Sequence, residues 1–256
     1  MKIGIFQPNI NNYPTIHEKL SKIENILNSK NIDILILPEL YLSFYLSRET
    51  IINCFPEDID FFKKKILELS QKYQSHIVCG YPEINNHKRY NSALVSGVHN
   101  DLICNHRKTF LAPNEMEKSL FSKGNNFEIF TIQDIHCSTL ICYEFEFPEI
   151  VRKLAKLGAQ LILVPTALTE EFSFVAHEML KTRAFENQIV LVYVNYCGQI
   201  NNQNFCGNSA VVNEKGEDLL RLGLEEDFAM VEVNFESQVL RRKRLPYFDD
   251  LTKFEV

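Results

Sequence analysis

No apolar run in this chain approaches the length of a membrane-spanning helix. Cysteine pairing signals are missing too: the seven cysteines are odd in number and never form C-x-x-C, so neither a disulfide framework nor a zinc cage is indicated. Reduced thiols point to a cytoplasmic protein. The seven histidines make no H-E-x-x-H or paired ligand pattern, which argues against metal-assisted hydrolysis. Gly80, Gly97 and Gly124 stand alone and build no phosphate cradle. Excess positive charge is lacking, and a net charge of −6 argues against nucleic acid as a partner. The longest basic run, Arg241 to Arg244, suits a helix end or an oligomer contact. The opening M-K-I-G-I-F-Q-P-N reads as a strand, interrupted too soon for a signal peptide. Linkers, low-complexity tracts and repeats of fixed period are absent as well.

What is present is an ordinary globular composition, 45% apolar and 23% charged over 256 residues, enough for one domain with a substantial core. Strands and helices alternate, which predicts a single α/β domain over residues 1–256. Residues 2–7 read as a first strand, and Ile16, Leu20, Ile23 and Leu27 as the apolar face of a helix. D-I-L-I-L at 33–37 is a continuous apolar strand, buried on both faces. Ile59, Phe62, Ile66, Leu69 and Tyr73 mark a second helix, followed by strands at 76–79, 91–97 and 102–106. Residues 110–126 read as an irregular polar loop, and a strand pair near 127–141 follows. The stretch 136–165 parses as strand, sharp turn, helix, strand, with Pro148 in the first helical turn and Gly158 just past the last. A helix at about 174–187 and an apolar strand at 189–194 come next. A hairpin of 208–213 and 217–222, a strand at 228–233, a short basic helix and a loose tail complete the chain.

Glu39, Lys108 and Cys142 each stand at or just beyond the C-terminal end of one of these strands. Strands in neighbouring sheets would let the three side chains converge on one pocket. Cys142 sits on a turn entering a helix, where a nucleophile is lifted clear of the sheet and the first helical N–H groups favour a thiolate. Glu39, leaving an apolar strand, suits a general base of raised pKa, and Lys108 suits the stabilisation of negative charge on a substrate oxygen. The same residue types also fit a buried thiol and two solvated loop residues.

A longer pattern decides between these readings. L-I-L-P-E at 35–39, H-R-K-T-F-L at 106–111, E-K-S-L-F-S-K-G at 117–124 and C-Y-E-F-E-F-P-E at 142–149 occur in the order and spacing found in the nitrilase, or carbon–nitrogen hydrolase, superfamily. R-A-F-E-N at 183–187 and F-C-G-N-S at 205–209 resemble that family's later motifs, so the likeness covers nearly the whole chain. The resemblance implies a four-layer αββα sandwich that pairs into homodimers or larger homo-oligomers. It implies Glu39 as general base, Lys108 as catalytic lysine, Cys142 as nucleophile and Glu117 as a second glutamate. The backbone N–H of Tyr143 would complete an oxyanion hole with Lys108. No cofactor and no metal are implied.

The branch is indicated just after the nucleophile. Many members of the family carry an arginine four residues beyond the cysteine; here that position is Glu146, which favours an ammonium over a carboxylate ligand. Capping of the following helix, or pairing with Arg152, is the competing role for Glu146. C-Y-E-F-E-F-P-E, together with L-V-P-T-A at 163–167, most closely resembles the 5-aminopentanamidase-like amidases, and places Thr166 with Tyr143 and Glu146 among substrate-binding candidates. The activity implied is hydrolysis of a small aliphatic amide, such as an ω-amino amide. An N-carbamoyl-amine hydrolase, an ω-amidase and a catalytically retired binding protein are the alternatives. Tyr143-Glu144 departs from the Trp-Glu usual after the cysteine of nitrile-hydrolysing members.

Overall fold

The computed structural model describes residues 1–45 and 47–253. Leu46 and the last residues of the tail, 254–256, lie outside the described residues. In chain order the first half comprises β1 (Lys2–Gln7), α1 (Ile16–Ser29), β2 (Ile34–Ile36), α2 (Arg48–Ile52), α3 (Pro56–Tyr73), β3 (His76–Asn85), β4 (Lys88–Ser96), β5 (Leu102–Arg107) and α4 (Glu115–Leu120). The second half comprises β6 (Phe130–Ile132), β7 (Ile135–Thr139), α5 (Pro148–Lys156), β8 (Leu161–Pro165), α6 (Leu180–Asn187) and β9 (Val190–Val194). It ends with β10 (Cys197–Ile200), β11 (Gln203–Cys206), β12 (Ala210–Val212), β13 (Asp218–Arg221), β14 (Asp227–Glu232), α7 (Glu236–Arg244) and α8 (Tyr247–Leu251).

Two six-stranded sheets result, ordered β14-β1-β2-β3-β4-β5 and β13-β12-β9-β8-β7-β6. The inner strands β1, β2 and β3 run parallel, as do β7, β8 and β9, while the flanking strands are antiparallel. Side chains alternate across each strand, so a strand covered on both faces must be apolar at every position. Ile34 and Ile36 of β2 meet Leu161 and Leu163 of β8 in the layer between the sheets. Leu35 faces the other way, against Ile23, Leu27, Phe62 and Ile66 of α1 and α3. Ile162 and Val164 likewise turn outward onto Val151, Leu154, Leu180 and Ala184 of α5 and α6. Helix, sheet, sheet, helix is therefore the layer order, the αββα sandwich expected.

Local signals place the helices. Thr15 caps α1, its hydroxyl accepting from the Glu18 N–H while the Glu18 carboxylate accepts from the Thr15 N–H, at 3.2 and 2.9 Å. Pro56 and Pro148 open α3 and α5, where a missing N–H costs nothing. Gly158 follows α5 with a φ of +102°, as its position past the last helical turn predicts.

Several expectations are corrected. The strand at 76–79 runs on to Asn85 and pairs with β4 as a long hairpin. The segment 110–126 contains α4, a helix capped by the Asn114 side chain. The helix expected at 174–187 begins as a wider turn at Val175–Met179 and becomes regular only from Leu180. The β10–β11 hairpin is an addition. Finally, Cys142 does not enter a helix directly: a tight 3₁₀ turn over Cys142–Glu146 intervenes and α5 starts at Pro148, because Phe147 is extended ahead of proline.

Candidate active site

β2 ends at Ile36, and the turn after it is held on three sides. Gly80 donates its N–H to the Pro38 carbonyl at 3.1 Å and accepts from the Leu42 N–H at 3.2 Å. A Cβ at Gly80 would lie 2.1 Å from the Leu40 nitrogen, so only glycine lets β3 pass this close behind the turn. The Tyr196 hydroxyl donates to the Glu39 carbonyl at 2.7 Å. Leu40 takes a left-handed φ of +50°, and the Glu39 side chain is thereby turned into the protein, where it is fully buried.

Lys108 follows β5 and is anchored in the same way. Its N–H donates to the Asn91 carbonyl and its carbonyl accepts from the Gly124 N–H, both at 2.8 Å. Gly124 lies so near that a Cβ would fall 2.0 Å from the Arg107 carbonyl oxygen. The Lys108 ammonium then donates to Glu39 Oε1 and to Glu117 Oε1, each at 2.7 Å, with all three side chains buried. Burial alone would favour loss of the Lys108 proton, but the two carboxylates outweigh it and hold the ammonium well above its ordinary pKa.

Glu117 comes from α4 and is fully satisfied: Oε1 also accepts from the Tyr45 hydroxyl and Oε2 from the Ala112 N–H, both at 2.8 Å. Glu39 is not. Its Oε1 accepts from Lys108 and from Asn91 Nδ2, while its buried Oε2 has no hydrogen-bond partner among the described residues. Burial raises the Glu39 pKa, Lys108 opposes that and Glu117 adds to it, leaving the carboxyl above its ordinary value. A buried carboxylate with one oxygen pinned and the other free is what a general base needs.

Cys142 follows β7 in the other sheet and has a φ of +47°, rare for a residue with a side chain and costing about 1–3 kcal/mol. Its thiol is pushed well above the ordinary cysteine pKa, first by burial and then by the Glu39 charge, with Lys108 and the Ala167 backbone opposing. The resting group is a thiol, so it could serve as a nucleophile only with its proton removed by another group. The thiolate favoured by a helix N-terminus, expected from the sequence, is not what this environment supports, because α5 begins beyond an intervening turn.

Cys142 lines a cavity of about 370 Å³ together with Glu117, Tyr143 and Glu146. Aromatic rings of Tyr45, Phe172 and Phe205 and the Ala167 and Leu168 side chains belong to its wall, and no Arg, Lys or His is among the lining residues. The Glu146 carboxylate makes no hydrogen bond or ion pair among the described residues. It neither caps α5, which has no side-chain cap, nor pairs with Arg152, whose guanidinium donates to the Glu186 carbonyl. Burial raises its pKa against the pull of Lys108.

Of the seven candidate residues, six are thus brought together: Glu39, Lys108 and Glu117 in one hydrogen-bonded cluster, and Cys142, Tyr143 and Glu146 along the cavity that Glu117 also reaches. Thr166 is not among the lining residues. It is fully buried, its hydroxyl donates to the Val164 carbonyl at 3.2 Å, and Ala167 takes its place at the cavity. Sequence reading passed over Asn91, Tyr45, Gly80 and Gly124. Asn91 carried a signal, being a polar residue at the head of the strand expected at 91–97.

The profile described as Carbon-nitrogen hydrolase matches residues 2–242. The chain belongs to the carbon–nitrogen hydrolase family. A Pseudomonas protegens protein named "Hydrolase in pqqF 5'region" is 34% identical over 238 residues, covering 89% of this chain and 83% of that protein. The 2-oxoglutaramate amidase of Bacillus subtilis is 27% identical, covering 92% of each. Among solved structures, the amidase from Nesterenkonia sp. AN1, with acrylamide added to its active-site cysteine, superposes with a TM-score of 0.85 at 27% identity, covering 96% of this chain and 98% of that one. The same amidase has been solved in complex with butyramide, again at a TM-score of 0.85 and 27% identity, over 96% and 95% of the two chains. This carbon–nitrogen hydrolase therefore acts on carbon–nitrogen bonds other than peptide bonds, as an amidase of the nitrilase superfamily. No helix among the described residues is long and apolar enough to cross a membrane.

Proposed function

We propose that the chain hydrolyses a short aliphatic amide to a carboxylic acid and ammonia through a thioester on Cys142. The observation that carries this reading is the buried Glu39–Lys108–Glu117 cluster, with its single unpaired carboxylate oxygen, beside the cavity that Cys142 lines. Glu39 Oε2 takes the thiol proton as sulfur attacks the amide carbon. Negative charge moves to the carbonyl oxygen, where the Lys108 ammonium and the Tyr143 backbone N–H receive it; a donor of this kind is worth on the order of a hundredfold in turnover. Glu39 returns the proton to the departing nitrogen, which leaves as ammonia. Water then enters, gives a proton to Glu39, and its oxygen attacks the thioester; the acid departs and the thiol is restored. Glu117 fixes Lys108 and so holds Glu39 Oε1 in place.

Glu146 gives the finer part of the proposal. A cavity with a free carboxylate and no cationic lining residue suits an amide that is neutral or bears a distal ammonium, of which 5-aminopentanamide is an example. The likeness to 2-oxoglutaramate amidase favours a second reading, an ω-amidase acting on carboxylate-bearing amides. Ammonia release from amides of matched length, ending in an ammonium, a methyl or a carboxylate, separates the two. Preference for the carboxylate form would sink the Glu146 argument, and no release from any would sink the amidase proposal. Assembly as a homodimer or larger homo-oligomer is part of the same proposal and is read by light scattering.

A further inference from the structure

Glu144 lies two residues after the nucleophile, fully buried, and does not line the cavity. Its carboxylate nevertheless accepts four hydrogen bonds: from His106 Nε2 at 2.7 Å, from the Thr109 N–H at 2.6 Å and hydroxyl at 2.7 Å, and from the Ile141 N–H at 2.8 Å. His106 and Thr109 flank Lys108 at the end of β5, in the first sheet. Ile141 immediately precedes Cys142 and follows β7, in the second. We infer that Glu144 is a positioning residue whose carboxylate, by tying the end of the Lys108 strand to the Cys142 turn across the gap between the sheets, sets the separation of the two oxyanion donors. This rests on the mechanism proposed above.

The chemistry of the group explains why a carboxylate is needed. An ionised carboxyl only accepts, and here both oxygens are filled by donors. A glutamine would turn one N–H-bearing nitrogen toward either the Thr109 or the Ile141 N–H, leaving donors opposed. The His106 ring is held for its bond by stacking on Phe127, with ring centroids 5.6 Å apart. Because Lys108 and the Tyr143 N–H stand one and two residues from atoms this carboxylate grips, slack in the clamp widens the oxyanion hole while the Tyr45, Phe172 and Phe205 side of the cavity stays in place.

The test compares wild type, Glu144→Gln and Thr109→Val, with butyramide as the neutral amide. Turnover and KM are measured beside the rate at which iodoacetamide alkylates Cys142, followed on the labelled peptide by mass spectrometry. Alkylation displaces iodide at a saturated carbon and needs no oxyanion hole, but it still needs the Cys142 thiol within reach of the cavity. Glu144→Gln is expected to lower kcat roughly 10–100-fold, the scale of an ångström-sized misplacement, with KM and alkylation within about threefold of wild type. Thr109→Val, which deletes one bond and keeps the shape, moves kcat in the same direction by a smaller factor. It decides the matter if the first variant does not fold. Unchanged kcat, or turnover and alkylation falling together with thermal stability, would overturn the inference while leaving the amidase proposal standing. A wild-type protein that releases no ammonia from any amide would overturn both.

Discussion

Glu39→Gln is the sharpest perturbation of the cluster, because the structure separates what it removes from what it keeps. A glutamine oxygen can still accept from Lys108 and Asn91, the two bonds that Oε1 now accepts at 2.7 Å. The amide nitrogen then replaces Oε2, the atom without a partner, and the proton acceptor is gone. General-base assistance contributes about 10²–10⁴ in rate, or roughly 3–5 kcal/mol of barrier. Stability should move little or rise, since Lys108 keeps Glu117 as counter-charge and one buried carboxylate no longer has to be desolvated. The expected result is a loss of at least about a hundredfold in ammonia release with an unchanged or higher melting temperature. Turnover within a few-fold of wild type would refute Glu39 as the base. A loss accompanied by a melting temperature several degrees lower would refute the reasoning that Oε1 alone carries its structural bonds.

Three further outcomes follow from the same geometry. Glu39 must be ionised to act and its pKa is raised by burial, so kcat/KM should fall as pH drops through a limb lying above the ordinary glutamate range; an ordinary limb would contradict the raised pKa. Glu146→Gln should raise KM for an amine-bearing amide by about tenfold, a partly exposed ion pair discounted for solvent, and spare the methyl-ended amide; equal effects on both would dismiss Glu146 as a specificity residue. Alkylation should pick out Cys142 over Cys54, the other partly exposed cysteine, and slow at Cys142 alone in Glu39→Gln, since both thiols have raised pKa values and in the mechanism proposed only Cys142 has a base, the unpartnered Glu39 Oε2, to take its proton. Equal labelling of the two, read by mass spectrometry, would count against base-assisted attack.

The layers were legible because apolar runs such as I-L-I at 34–36 and L-I-L-V at 161–164 permit no other placement than burial on both faces. Hairpins were less so, and for one reason. Asn86-His87, Gln133-Asp134 and Asn201-Asn202 all form turns with two successive left-handed residues, at φ between +48° and +65°, without the glycine that usually announces such turns. The extension of β3 and the whole β10–β11 pair were missed on that account. In the site, residues that carry charge or a thiol stood out, whereas those that hold them did not. Gly80 and Gly124 contribute only the absence of a side chain, and Glu144 offers a carboxylate whose partners lie some 35 residues upstream. Thr166 was misplaced because a residue beside a cavity and one behind it look alike in sequence.

The division of the site between two sheets also bears on how the protein comes into being. Glu39 and Lys108 follow strands made early, but the sheet that carries them is closed at one side by β14, whose Glu232 pairs with Lys2 of β1. The Cys142 sheet is made from residues between those limits. Contacts this distant in sequence form late, after the entropy of closing long loops has been overcome. In the mechanism proposed, the Cys142 thiol and the Glu39 carboxylate belong to different sheets, so reactivity would be acquired only when the two sheets pack together and not with either sheet alone.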